Sequence, residues 1–443
     1  MMSGRQNFDA TNLITLNQIR IQSLLICLSL LFFTQEVWSQ EPEKAKKFAG
    51  QAPVQKVDTS PRPVQLQHRN TFHFPELGIS VSNDFNGARL NGVLQREDTL
   101  IAWITPENAP INPSPWYAFK LWSEQPREVY VKLTYQDAKH RYYPKLSRDG
   151  LSWTALDSAD YEEFNKGDEE FGAGSLPEYV RIKLQLGPDT LWVAGQELQS
   201  SEHVFAWMDS LSAKPFISTE TFGQSRMGRP MRAMQISEAK KQDKVVLVIS
   251  RQHPPEVTGY LAMKAFTEKL AGDSKLARRF RKEYTVVAIP LMNPDGVDMG
   301  HWRHNAGGVD LNRDWSQRYH PETQAVKDLL DEKLSAAEGK LYFGIDFHST
   351  WDDIYYTLDS TVLTHTPGLM AEWLSSIEGA IPNYVINAKG NISSAGVSKN
   401  FMYNEYGAES LVYEVGDNTP RPFVRQKGEV AAEQLMRLLL EED

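Results

Sequence analysis

From about Val64 to Gly195 apolar and polar residues alternate in short runs, ISVSNDF, TLIAWIT, YAFKLW, REVYVKLTY and YVRIKLQL, separated by Asn, Asp, Gly and Pro. A repeat of two places every second side chain on one face of a strand, so this region is predicted to form an antiparallel β-sandwich. After about Gln196 the period changes: HVFAWMDSL and TGYLAMKAFTEKLAG carry helical spacing, while VVLVIS, YTVVAIPL, LYFGIDF and SLVYEV are unbroken apolar runs. Unbroken runs of that length are what strands buried on both faces require. The stretches containing Lys327 to Leu334 and Val430 to Leu440 read as helices. Strand and helix alternate, which predicts an α/β fold, a mixed sheet with helices on both faces, preceded by the sandwich.

A chain of 443 residues exceeds one ordinary core, and domains of roughly 100 to 200 residues suggest two folded units. The apolar run from Leu24 to Phe33 follows Arg20 and precedes Val37-Trp38-Ser39. It is shorter than the roughly 20 apolar residues of a membrane span, so residues 1–39 are expected to be a signal peptide cleaved before Gln40, and the protein to be exported with no stable membrane span. Residues 40–63, rich in Glu, Lys, Gln, Pro and Ser without apolar period, are expected to be a flexible linker. That leaves 64–195 for the sandwich and 196–443 for the α/β domain. The one cysteine, Cys27, falls within the signal segment. The exported chain would then have no disulfide, and any metal must be held by His, Asp or Glu. The formal charge of −10 is unchanged by that cleavage, since Arg5 and Arg20 cancel Asp9 and Glu36, and it makes nucleic acid a poor partner.

His253, Asn293, His348 and Glu414 fall at or just beyond the carboxyl ends of the four buried runs, the edge where open α/β sheets gather ligands. HPPE (His253 to Glu256) and DFHST (Asp346 to Thr350) bracket NPDGV and HWRHNAGGVDLNRDW, whose arginines and asparagines are equipped to grip an anion. HxxE alone is weak evidence. Here a buried strand precedes it, a helix follows it, and a second strand ends in His348. Two His and one Glu leave a fourth zinc position open for water, a catalytic arrangement. His301, His304 and His320 are expected to be solvent-facing or hydrogen-bonded loop residues, because such a site uses three protein ligands.

Together, HPPE, NPDGV, WRHN, DLNR, DFHS and the late YEVG resemble the zinc metallocarboxypeptidase family. The β-rich leading region, GQSRMGRP and the form NPDGV...WR...GVDLNRDW point to its cytosolic-carboxypeptidase-like branch. The resemblance covers roughly Val64 to the C-terminus and implies a mixed eight-stranded carboxypeptidase sheet. It makes His253, Glu256 and His348 the ligands of one zinc ion, with Asp310 orienting the His253 ring. Glu414 becomes the general base and acid, and Arg303 the group that stabilises the oxyanion. Asn312 and Arg313 become the pair that holds a terminal carboxylate. Counted back from Glu414, the family's selectivity position falls on Lys399, which implies a preference for acidic C-terminal residues. The family's substrate-capping tyrosine has no clear counterpart; Tyr384, Tyr403 and Tyr406 are candidates. The implied activity is removal of C-terminal residues from peptides. Hydrolysis of cell-wall peptides or other acyl amino acids by the same zinc chemistry, and an inactive binding protein, are the alternatives.

Overall fold

The computed structural model describes residues 48–167, 174–391 and 395–441. The expected signal segment and the beginning of the expected linker lie outside them. In the leading β region one sheet has the order Thr71–Phe74, Ile79–Ser82, Ala118–Ser123, Leu191–Ala194, Lys145–Ser147, Thr154–Ala155, all antiparallel. The other has the order Gly92–Arg96, Thr99–Ile104, Arg127–Tyr135, Tyr179–Leu186, Tyr161–Phe164. The two-residue period does what the sequence requires: Val129, Val131 and Leu133 enter a core shared with Leu121 and Val193 of the facing sheet. One pairing departs from the antiparallel expectation, because Thr99–Ile104 runs parallel to Arg127–Tyr135. Between these strands the chain passes through Ala118–Ser123 of the other sheet, and a crossover of that kind lets the returning strand run in the same direction.

The α/β part is built on an eight-stranded mixed sheet of order Ile217–Gln224, Pro230–Ile236, Thr285–Ile289, Lys244–Ser250, Lys340–Thr350, Glu409–Gly416, Ile354–Thr357, Ala388–Gly390. The four central strands are parallel. Along Lys244–Ser250, Val246 and Val248 enter one core with Tyr260, Phe266 and Leu435, while Val245, Leu247 and Ile249 enter another with Leu329, Phe401 and Met402. Burial on both faces is the reason the run carries no polar alternation. The helices Val257–Leu270 and Arg421–Glu441 cover the first face, and Pro321–Ala337 and Ser398–Tyr406 the second.

The stretch expected to be a flexible linker is tied down from Phe48 onwards, though it forms neither helix nor strand up to residue 63. Thr59 is buried and its hydroxyl donates to Asp314 Oδ1 at 2.5 Å, and Arg62 N donates to Gly307 O at 2.7 Å. These contacts are made by side-chain and backbone polar groups, which apolar periodicity does not register. No helix among the described residues is long and apolar enough to cross a membrane.

Candidate metal centre and substrate cavity

His253 lies just after Lys244–Ser250, beyond Arg251, whose φ of 59° turns the chain sharply out of the strand. Glu256 stands immediately before the helix Val257–Leu270, and His348 lies inside Lys340–Thr350, in register with Glu414 on the neighbouring strand. These elements bring three donors together. Glu256 Oε1 is 2.8 Å from His253 Nδ1, Glu256 Oε2 is 2.7 Å from His348 Nδ1, and the two ring nitrogens are 3.1 Å apart. All three residues are buried, and their ligand atoms lie within 4.8 Å of one another.

The far side of each ring is held by a carboxylate. His253 Nε2 is 2.8 Å from Asp310 Oδ1, and His348 Nε2 is 2.9 Å from Asp346 Oδ2. A proton on each Nε2, donated outward, leaves both Nδ1 lone pairs facing Glu256, so three electron-rich donors converge. Such a convergence is repulsive without a cation and suits zinc, which takes imidazole nitrogen and carboxylate oxygen. Asp346 was not singled out in the sequence, although its place two residues before His348 on a strand puts both on one face. Gln252 Nε2 and Ser398 Oγ each donate to Asp346 Oδ2 at 2.5 Å, and Trp315 Nε1 holds Gln252 Oε1 at 2.9 Å.

Asp310 gathers the anion-gripping residues. Its Oδ2 accepts from Arg303 Nε and Nη2, each at 2.8 Å, and lies 3.6 Å from Arg313 Nη1. Its Oδ1 accepts from Asn312 N at 2.8 Å. Burial pushes the Asp310 carboxyl up, but the charges of Arg303, His253 and Arg313 outweigh it and hold the group well below the usual carboxylate range.

Asn312, Arg313, Tyr356, Lys399, Val412 and Glu414 line one cavity, with Gln51, Ala52 and Val54 at its rim. Glu256, Arg303, Arg141, Trp351 and again Glu414 line a second cavity. Glu414 therefore lines both, and its Oε2 is buried with no hydrogen-bond partner among the described residues. Burial and the Glu256 carboxylate push its carboxyl up to about 7; a cation at the donor set draws it back towards the ionised form. Lys399 is buried, donates from Nζ to Asn391 O at 2.6 Å and to Asn400 Oδ1 at 3.2 Å, and has no carboxylate partner among the described residues. Burial lowers its ammonium to about 8.

His301, His304 and His320 are buried rather than solvent-facing, and all three are hydrogen-bonded, to His304 O, Asn108 and Thr59 O respectively. Of the three tyrosine candidates for capping, Tyr384 bonds to Asp353, Tyr406 bonds to Asp331, and neither they nor Tyr403 line the cavity. Tyr356 does, from the strand Ile354–Thr357, and its hydroxyl accepts from Gln51 N at 2.6 Å. Nothing in its sequence context, DIYYT, marked it.

The zinc carboxypeptidase profile, peptidase family M14, matches residues 204–433, and the chain belongs to that family. It is similar to cytosolic carboxypeptidase 3 of Mus musculus, 30% identical over 140 residues that make up 31% of this chain and 14% of that protein. It is 29% identical to mouse cytosolic carboxypeptidase 6 over 153 residues, 32% of this chain and 28% of that one. The chain thus matches less than a third of the length of either relative. A crystal structure of a metallo-carboxypeptidase from Burkholderia cenocepacia shares the fold, with a TM-score of 0.64 and 19% identity over 82% of this chain and 99% of that one.

Proposed function

We propose that the chain is a zinc-dependent carboxypeptidase that hydrolyses the C-terminal amide bond of peptides and prefers an acidic terminal residue. The observation that carries this reading is one cavity in which Asn312, Arg313 and Lys399 share a lining with Glu414, whose Oε2 has no hydrogen-bond partner among the described residues, next to the His253–Glu256–His348 donor set. Zinc bound at that set supplies positive charge that polarises the scissile carbonyl and acidifies water.

The chain's own groups do the rest. Arg313 and Asn312 take the substrate's terminal carboxylate, a planar anion that a guanidinium holds with two parallel hydrogen bonds. Lys399 receives the terminal side chain, and a carboxylate there pairs an ammonium that burial otherwise disfavours. Glu414 Oε2 accepts a proton from the attacking water and returns it to the departing amine nitrogen as the C–N bond breaks. Arg303 spends Nε and Nη2 on Asp310, and among the described residues its Nη1 carries no hydrogen bond, so it serves the oxyanion.

Peptides identical except for a C-terminal Glu, Lys, Leu or Phe, read by mass spectrometry of the trimmed ends, test the reading. Removal of Glu ahead of the others is expected, and preference for Leu or Phe contradicts the role of Lys399. The segment Leu24 to Phe33 supports export after cleavage. N-terminal sequencing of the protein from its host should give a start at Gln40; an intact Met1 contradicts it.

A further inference from the structure

The loop that carries Arg303 belongs to the α/β part of the chain, yet the leading β region holds it. Glu107, fully buried, accepts Trp302 N on Oε2 at 2.7 Å, and Arg303 N and His304 N on Oε1 at 2.9 and 2.6 Å. Successive backbone N–H groups pointing to one side form a concavity that attracts an anion, and Glu107 fills it. Burial pushes this carboxyl up, but the facing His301, His304 and Arg89 together with the His304 N–H outweigh it and hold the group at about 2. It is a fixed negative charge throughout the working range.

The neighbouring contacts repeat the pattern. Asn108 Oδ1 meets His304 Nδ1 at 2.7 Å, and Asn108 Nδ2 donates to Gly308 O at 2.9 Å. Trp302 is buried in the core of the leading β region. Gly300 and Gly308 flank the loop at φ of 65° and 75°, where a Cβ would stand 2.1 Å from Ala88 O and 2.5 Å from Arg62 O. Both ends of the loop press against the backbone of the leading part of the chain, an approach only glycine allows.

We propose that Glu107 is a positioning residue for Arg303, and that the leading β region is the template that aims the oxyanion arginine. Its carboxylate fixes the backbone on both sides of Arg303, while Asp310 fixes the guanidinium at the other end. One residue is thus pinned at its main chain and at its side chain. The proposal rests on the role given to Arg303 above.

A double-mutant cycle in full-length, zinc-loaded protein tests it. Glu107→Gln keeps the size but turns an NH2 donor towards N–H donors, so the loop must shift. A displacement near 1 Å at a catalytic group costs up to about 100-fold, so kcat is expected to fall about tenfold to a hundredfold, with KM within about twofold because Asn312 and Arg313 are untouched. In an Arg303→Ala background the same substitution should cost nothing further, since it acts through the missing side chain. Glu107→Asp, which keeps the charge, should recover part of the loss, and it carries the cycle if Glu107→Gln does not fold. An equal loss from the Glu107 substitution in both backgrounds means general damage and overturns the proposal. A normal kcat in Arg303→Ala overturns the assignment of Arg303 itself, and the positioning role falls with it.

Discussion

The metal-donor set and the cavity that Glu414 lines are built in opposite ways. Each donor comes from a strand end or helix start of the central sheet, and each ring has a carboxylate behind it, Asp310 or Asp346. The cavity is assembled from distant pieces: the Asn312–Arg313 loop, the short strand with Tyr356, the helix that starts at Ser398, and residues 51–54. In the donor set hydrogen bonds fix every ring, whereas in the cavity Glu414 Oε2 is left unpaired and Lys399 lacks an acid among the described residues. A buried polar group without its partner costs free energy, so the donor set is finished before substrate arrives and the cavity is completed by it.

If that contrast is right, damage to the donor set should remove activity for every substrate. His348→Ala, or treatment with a chelator, should abolish turnover, and metal analysis should show zinc lost. Undiminished zinc in folded His348→Ala excludes that residue as a ligand. Glu414→Gln should keep zinc and fold while kcat falls about 100- to 10,000-fold, because the amide has the same shape but cannot take the proton. A near-normal turnover number removes Glu414 from the role.

Damage to the cavity should depend on the substrate. Arg313→Ala should weaken kcat/KM for free C-terminal peptides about 10- to 100-fold, from the roughly 1.5–3 kcal/mol of a hydrogen bond to a charged group. An unchanged value excludes it as the carboxylate anchor. Asp346→Asn, which alters the acceptor that holds the His348 ring and is shared with Gln252 and Ser398, should lower zinc affinity about 10- to 100-fold, measured by competition with a chelator. Equal affinity in the variant makes Asp346 a packing residue.

The smallest effect concerns pH. Lys399 lines the cavity together with Arg313, Glu414 and Tyr356, and burial lowers its ammonium to about 8. Its charge is present below that value and lost above it, so the preference for a terminal Glu over Leu should decline by a few-fold as pH rises through about 8. Lys399→Ala should show a weak, pH-independent preference; the same slope in the variant assigns the titration elsewhere.

The contrast also explains what was legible in the sequence. His253, Glu256, His348 and Glu414 sit where buried apolar runs end, and such runs announce themselves through the absence of alternation. The roles expected for Asp310 and Arg303 came from the resemblance to the carboxypeptidase family, supported by the loop they share with Asn312 and Arg313. The helix Ser398–Tyr406 is polar, SKNFMYNEY, and the strand Ile354–Thr357 is short, so periodicity marked neither. Residues 40–63 read as linker for want of an apolar period, and the part described, 48–63, contacts the rest of the chain through polar groups, such as the Gln51 backbone on Tyr356. Glu107 and Asp346 are single carboxylates whose meaning depends on which backbone or ring they meet, and only the folded chain supplies that.

The central claim, that a pre-built zinc site works on substrates recognised by their free chain end, is tested most directly by the zinc-loaded protein acting on two peptides identical except for a free or amidated C-terminus. The free peptide should lose its terminal residue while the amidated one is cut at least about tenfold more slowly, the loss of one charge-assisted contact. Equal rates for the two would contradict recognition of a free C-terminus and with it the carboxypeptidase reading.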